Sequence, residues 1–121
     1  MNLYVATQYT RNPGPRFKTQ SPSSNSGQEF RDKLLLPRLK QCIESKDMLY
    51  CIFDGCSGAG VSFLEESFGG LIRAGIAYSD IKNHLTIVWN SMPRKVIQAN
   101  SFIEKAYHDK LAEENRKEGS V

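Results

Sequence analysis

A chain of 121 residues with 40% apolar and 24% charged side chains can build one packed core and is undersized for two stable domains. Its net charge of +3 excludes a strongly basic nucleic-acid domain: residues 1–60 carry eight Lys/Arg against five Asp/Glu, residues 61–121 eight against eight, and no basic stripe stands out. The longest strongly apolar run, residues 49–53, is far shorter than the about 20 residues that a membrane-spanning helix needs.

Residues 3–9 read as a strand, with Leu3, Val5 and Thr7 on one face. Asn12-Pro13-Gly14-Pro15 is a turn, and Arg16-Phe17-Lys18 follows as a short second strand, so that residues 1–18 make a strand or a hairpin. A Ser/Pro/Asn loop occupies residues 20–26. Ser26 and Glu29 have capping-box spacing and start a helix whose apolar face is Phe30, Leu34, Leu35, Leu39, Cys42 and Ile43. Pro37 removes a donor inside this pattern and predicts a kink or restart near Leu36.

Residues 48–54 form the strongest strand, apolar on both faces and therefore expected at the centre of a sheet. A glycine loop, residues 55–60, leads to a second helix over 62–74. Ser62 is its expected N-cap, with Glu65 three residues on folding back as the capping partner. Residues 79–83 read as a turn, 84–90 as a strand, 94–112 as a third helix and 113–121 as a frayed polar tail. One domain over 1–121 follows, a small α/β fold with a mixed sheet and helices packed against it.

Cys42, Cys51 and Cys56 are an odd set without paired spacing, which argues against a disulfide framework and fits a reducing cytoplasm. No Cys-x-x-Cys pair exists, and His84 and His108 are distant in sequence, so no metal or cofactor is expected. The glycine loop lacks both the dinucleotide fingerprint and the Lys-Ser/Thr ending of a P-loop. It is read first as a strand-to-helix turn, with a nucleotide or small ligand as its alternative occupant. Ser57, with Asp80 and His84 following, is a weak hydrolase pattern, since Ala59 replaces the second glycine of the nucleophile elbow. Asp54, Glu65 and Glu66 are carboxylates better explained by backbone bonding, capping and solvation than by acid–base or magnesium chemistry.

The runs Ser26-Gly27-Gln28-Glu29-Phe30-Arg31, Leu36-Pro37, Ile52-Phe53-Asp54-Gly55 and, most specifically, residues 62–71 (SFLEESFGGL) resemble the bacterial STAS-like proteins. That family has unknown function and is named for its likeness to anti-sigma-factor antagonists. The resemblance spans roughly residues 15–110. It implies a STAS-like fold and a non-catalytic regulatory role in partner-switching signalling. The implied partner is a histidine-kinase-like ATP-binding protein; from the charge and the short apolar run, neither nucleic acid nor membrane is expected. In the antagonists, a serine at a helix start is phosphorylated by that partner. Laid on their Asp-Ser-Ser run, Glu65 matches the Asp, Glu66 the phosphorylated serine and Ser67 the second serine, so a fixed charge replaces the phosphoacceptor. The partner-binding or regulatory set is Asp54, Ser57, Ser62, Glu65, Glu66 and Ser67; adjacent carboxylates point about 100° apart on a helix, so with Glu65 folded back to cap, Glu66 faces outward.

Overall fold

The computed structural model describes residues 1–18 and 25–119, with side chains through 117. Three short strands, Asn2–Tyr4 (β1), Leu49–Ile52 (β2) and Leu85–Val88 (β3), form a sheet in the order β1-β2-β3. Both strand pairs are parallel, where a mixed sheet was expected. Each connection is a helical crossover, which parallel neighbours require.

Side-chain alternation fixes the register. Leu3, Cys51 and Ile87 are paired across the three strands and lie in the core, at 0%, 0% and 7% exposure. The opposite face carries the rows Asn2–Tyr50–Thr86 and Tyr4–Ile52–Val88. Tyr4 and Tyr50 there are 46% and 41% exposed. The central strand is therefore covered on one face rather than both: Leu49, Cys51 and Phe53 point inward and Tyr50 outward.

The N-terminal strand is shorter than its sequence suggests. It ends at Tyr4, and Val5–Gln8 make one helical turn (α1). Val5 remains buried, and its carbonyl accepts from Tyr9 and Thr10. Residues 16–18 form no strand and no hairpin with β1. Instead the carbonyls of Pro15 and Arg16 accept from Gly27 and Gln28 at the start of the next helix. The loop expected over 20–26 falls mostly outside the described residues.

The second helix (α2) spans residues 27–45. Ser26 caps it as predicted, Oγ accepting from Glu29 N at 3.1 Å. The other half of the box is not made, because Glu29 binds Lys33 at 2.5 Å. In place of a kink near Leu36, Arg31–Leu35 form a π-turn, and the α-helix continues as Leu36–Ser45. The ring of Pro37 would press on the carbonyl of Lys33 in a regular α-helix, and the wider turn that contains Lys33 relieves that conflict.

The third helix (α3) runs over residues 61–73 and has a π-turn of its own, Glu65–Gly69. Residues 79–83 are helical rather than a connector: Tyr78–His84 form α4, which leads straight into β3. The last helix (α5) is Pro93–Gly119, so the polar segment expected to fray is helical through 119. Among the described residues, no helix is long and apolar enough to cross a membrane.

An aromatic cluster joins sheet and helices. Phe53 stacks on Trp89 with ring centroids 5.1 Å apart, and Phe30 stacks on Phe63 at 5.7 Å. Phe68 approaches Phe53 at 6.1 Å, which seats the π-turn of α3 on the end of the central strand. The architecture is a small α/β domain built on a three-stranded parallel sheet.

Candidate functional site

Parallel strands bring the segments that follow them to one end of the sheet, where open α/β folds commonly bind partners and ligands. After β2 the chain turns sharply, with Gly55 at φ +96°, a conformation that favours glycine. Asp54 then accepts from both the backbone N and the side-chain Nδ2 of Asn90, each at 2.8 Å. Ser57 N donates to Arg11 O at 2.8 Å, and Ser57 Oγ lies 2.8 Å from Asn12 Oδ1. Asp54 and Ser57 thus tie together the segments following all three strands. Beyond them Gly58 and Gly60 have open space around them, and Val61 is 51% exposed.

Gly60, in extended conformation, is the N-cap of α3, and no side chain caps this helix. Ser62 therefore lies inside the first turn with its side chain exposed, where a cap was predicted. Glu65 does not fold back toward the helix start. It accepts from Arg16 at 2.6 Å and from Arg73 at 2.8 and 2.9 Å.

Glu66, expected to face outward, is 7% exposed. Its carboxylate is paired with Arg73 at 2.9 Å, Arg31 at 3.3 Å and Arg16 at 3.6 Å. Arg31 also donates to the Glu66 carbonyl at 2.9 Å and to Asp32 at 3.0 Å. Three guanidiniums from the segment after α1, from α2 and from α3 thus enclose two adjacent carboxylates. With Asp32 counted, the group is neutral.

The π-turn explains why. One residue more per turn rotates the following side chains out of α-helical phase, so Glu66, Ser67, Phe68 and Gly69 are all buried together. The two glycines that follow leave room. A Cβ at Gly69 would strike the Glu65 carboxylate, and one at Gly70 the Arg31 guanidinium. Ser67, fully buried, donates to Gly27 O at 3.4 Å where α2 and α3 touch. A Cβ at Gly27 would lie 2.7 Å from Phe63 O, so that contact needs glycine as well.

Burial acts to raise the Glu65 carboxyl, but the bonds from Arg73 and Arg16 outweigh it and hold the group below its ordinary value. Burial pushes the Cys51 thiol far up and Cys56 to about 11, so neither is a reactive thiolate near neutrality.

The predicted residues consequently separate. Asp54 and Ser57 brace the end of the sheet, Ser62 is accessible beside them, and Glu65, Glu66 and Ser67 belong to the helix-packing interior. The sequence reading missed Arg16, Arg31 and Arg73. Its available signal was the pair Glu65-Glu66 running into Phe68-Gly69-Gly70, which is too apolar and too small for a solvated face. Ser57, Asp80 and His84 do not assemble. Ser57 follows β2 and His84 precedes β3, at opposite ends of parallel strands, and His84 Nδ1 lies 2.8 Å from Asp47 O. Among the described residues, no three His, Cys, Asp or Glu side chains converge as metal ligands would.

A family model for a STAS-like domain of unknown function (DUF4325) matches residues 26–93, from the Ser26 cap through β3 to the start of α5. Searches of curated proteins and of solved structures each returned no match. The matched segment includes both π-turns and the end of the sheet that Asp54 braces. By this match, over more than half its length, the chain belongs to the family of STAS-like domains of unknown function.

Proposed function

We propose that the protein is a non-catalytic, bacterial, cytoplasmic regulatory module that docks a protein partner through loop 55–60 and the first turn of α3. The partner we propose is a histidine-kinase-like ATP-binding protein acting in partner-switching signalling. The observation that carries this reading is the exposure of Val61 and Ser62 beside the open Gly58 and Gly60, on a helix start that no side chain caps. The likeness of STAS-like domains to anti-sigma-factor antagonists supports the choice of partner.

The role assigned to Glu66 from the sequence changes. A carboxylate enclosed by three arginines offers nothing to a docked protein, and buried Ser67 offers no hydroxyl. By its place after the central strand, Ser62 is the accessible hydroxyl of this helix start. Phosphate there would add about two negative charges beside the free N–H groups of the first turn, enough to stabilise the helix end while repelling a docked acidic surface.

A protein-docking face is favoured over a phosphate-binding loop for a specific reason. The N–H groups of Cys56 and Ser57 are already used by the carbonyls of Phe53 and Arg11, so the loop has few left to cradle an anion.

Titration calorimetry of the wild type, Val61→Glu and Ser62→Asp against a histidine-kinase-like ATP-binding protein of the same genome tests the proposal. Both variants should bind at least about tenfold more weakly without loss of thermal stability. Equal affinities across the three proteins would overturn the assignment of this face.

A further inference from the structure

β3 is an edge strand, and among the described residues no strand lies beyond it. Val88 O accepts from Phe53 N, so it points toward the β2 side. The alternation of a strand then turns the N–H and C=O of Ile87 the other way, to the open edge. Alongside that edge runs a groove of about 480 Å³ between β3 and α5, lined by Ile87, Trp89, Pro93, Val96 and Ile97. Ile97 is 69% exposed, although it projects from a helix whose Ala99 and Ile103 are buried in the core. α5 therefore extends an apolar floor beneath the place where a further strand would lie. Trp89 in this groove also has a buried indole Nε1 with no acceptor among the described residues.

The charge around the groove selects the occupant. Residues 85–100, which contain β3 and the first turns of α5, hold Arg94 and Lys95 and not one Asp or Glu; at the other end of β3, Lys82 shares a pocket with Leu85 and Glu104. Neither Arg94 nor Lys95 forms an ion pair with a described carboxylate, whereas Lys82 stands 6.0 Å over the ring of Tyr78, whose hydroxyl donates to Glu104. The carboxylate placed at this end is Asp54, and both its oxygens accept from Asn90.

We propose that the free edge of β3, floored by Val96 and Ile97 and flanked by Arg94 and Lys95, takes an extended acidic segment of a partner protein as a fourth strand. Backbone bonds to Ile87 supply affinity, alternate apolar side chains fall on Ile97, and acidic flanks meet the basic residues. This surface is distinct from the start of α3 and does not depend on the role proposed for Ser62.

The test uses two pools of short, blocked, fluorescein-labelled peptides that alternate Val or Ile with Thr. One pool has Asp or Glu at both ends, the other Lys or Arg. By fluorescence anisotropy at low salt, about 50 mM, the full-length protein should bind the acidic pool at least about tenfold more tightly than the basic pool. Ile97→Glu should remove that binding, and the double variant Arg94→Glu, Lys95→Glu should invert the preference. Both changes lie on the surface, and circular dichroism checks that they fold. The Ile87 amide should exchange more slowly in the presence of the acidic pool. Equal affinity for both pools, no binding of either, or binding indifferent to Ile97→Glu would overturn the proposal. So would a dimer in sedimentation velocity that Ile97→Glu dissociates, since the groove would then belong to a second copy. Ser62→Asp should leave peptide binding unchanged, and loss of binding in that variant would move the peptide to the start of α3.

Discussion

Glu66 shows how much one side chain's surroundings can invert its role. On an ideal α-helix, adjacent carboxylates point about 100° apart, which would leave one of them free. Here both are held by arginines, and the more buried of the two has three cationic neighbours. Removing one partner of a buried charge pair typically costs about 3–5 kcal/mol, because it strands the others. Glu66→Lys is therefore expected to destabilise the fold by about that amount in urea unfolding, and Glu66→Gln by distinctly less. Capping gives a second contrast at this scale. Ser26→Ala should cost about 0.5–2 kcal/mol through loss of its bond to Glu29 N, whereas Ser62→Ala, at a position that caps nothing, should stay within about 0.5 kcal/mol. Thermal melts of the two variants give the comparison directly.

At the scale of elements, α2 and α3 meet with a π-turn in each, and both turns carry the same core spacing. Phe30 and Leu35 are five residues apart and fully buried, as are Phe63 and Phe68. Five is the repeat of a π-turn, not of an α-helix. A search for three- and four-residue spacing finds helices here but cannot place the side chains that follow the turn. The glycines then decide which large groups can sit between the helices. Gly70→Ala gains about 1 kcal/mol of helix propensity but displaces the Arg31 guanidinium from Glu66 O, a charge-assisted bond worth about 1.5–3 kcal/mol. A net loss of stability is expected in denaturant unfolding. A gain would show that Arg31 finds another position at no cost.

For the whole molecule, the arginine–glutamate cluster ties the segment after α1 to α2 and α3, so its titration should be felt globally. The folded carboxyl of Glu65 lies below its ordinary value of 4.5. A depressed carboxyl contributes stability that is fully present above the unfolded value and is lost as pH falls through the folded one. Stability should thus decline as the pH drops below about 4.5, and Glu65→Gln should flatten that decline. Urea midpoints measured from pH 6 downward provide the check, and parallel curves for the two proteins would contradict it.

Much of the layout was legible in the residues. A run apolar on both faces marked β2, β-branched and aromatic residues marked β3, Ser26 marked the start of α2, and the run through residues 62–71 marked the family. A mixed sheet follows from the sequence only if residues 16–18 are a hairpin strand beside β1; with no strand there, the helices between the remaining strands make every pair parallel. The N-terminal strand was overextended because Val5 is buried whether it lies in a strand or in the helical turn that replaces it. The candidate site was half legible. Asp54 bonds a backbone amide from a strand end, though that of Asn90, 36 residues on, rather than a neighbouring one, and Ser62 is exposed at a helix start. The inward placement of Glu65, Glu66 and Ser67 depended on Arg16, 49 residues from Glu65, and Arg31, 35 residues from Glu66. Sequence by itself determined the strands β2 and β3 and the cores of the three longer helices, since those follow from local spacing and composition. Only tertiary structure decided where the charges went, since a carboxylate enters a protein interior only when distant guanidiniums arrive to neutralise it.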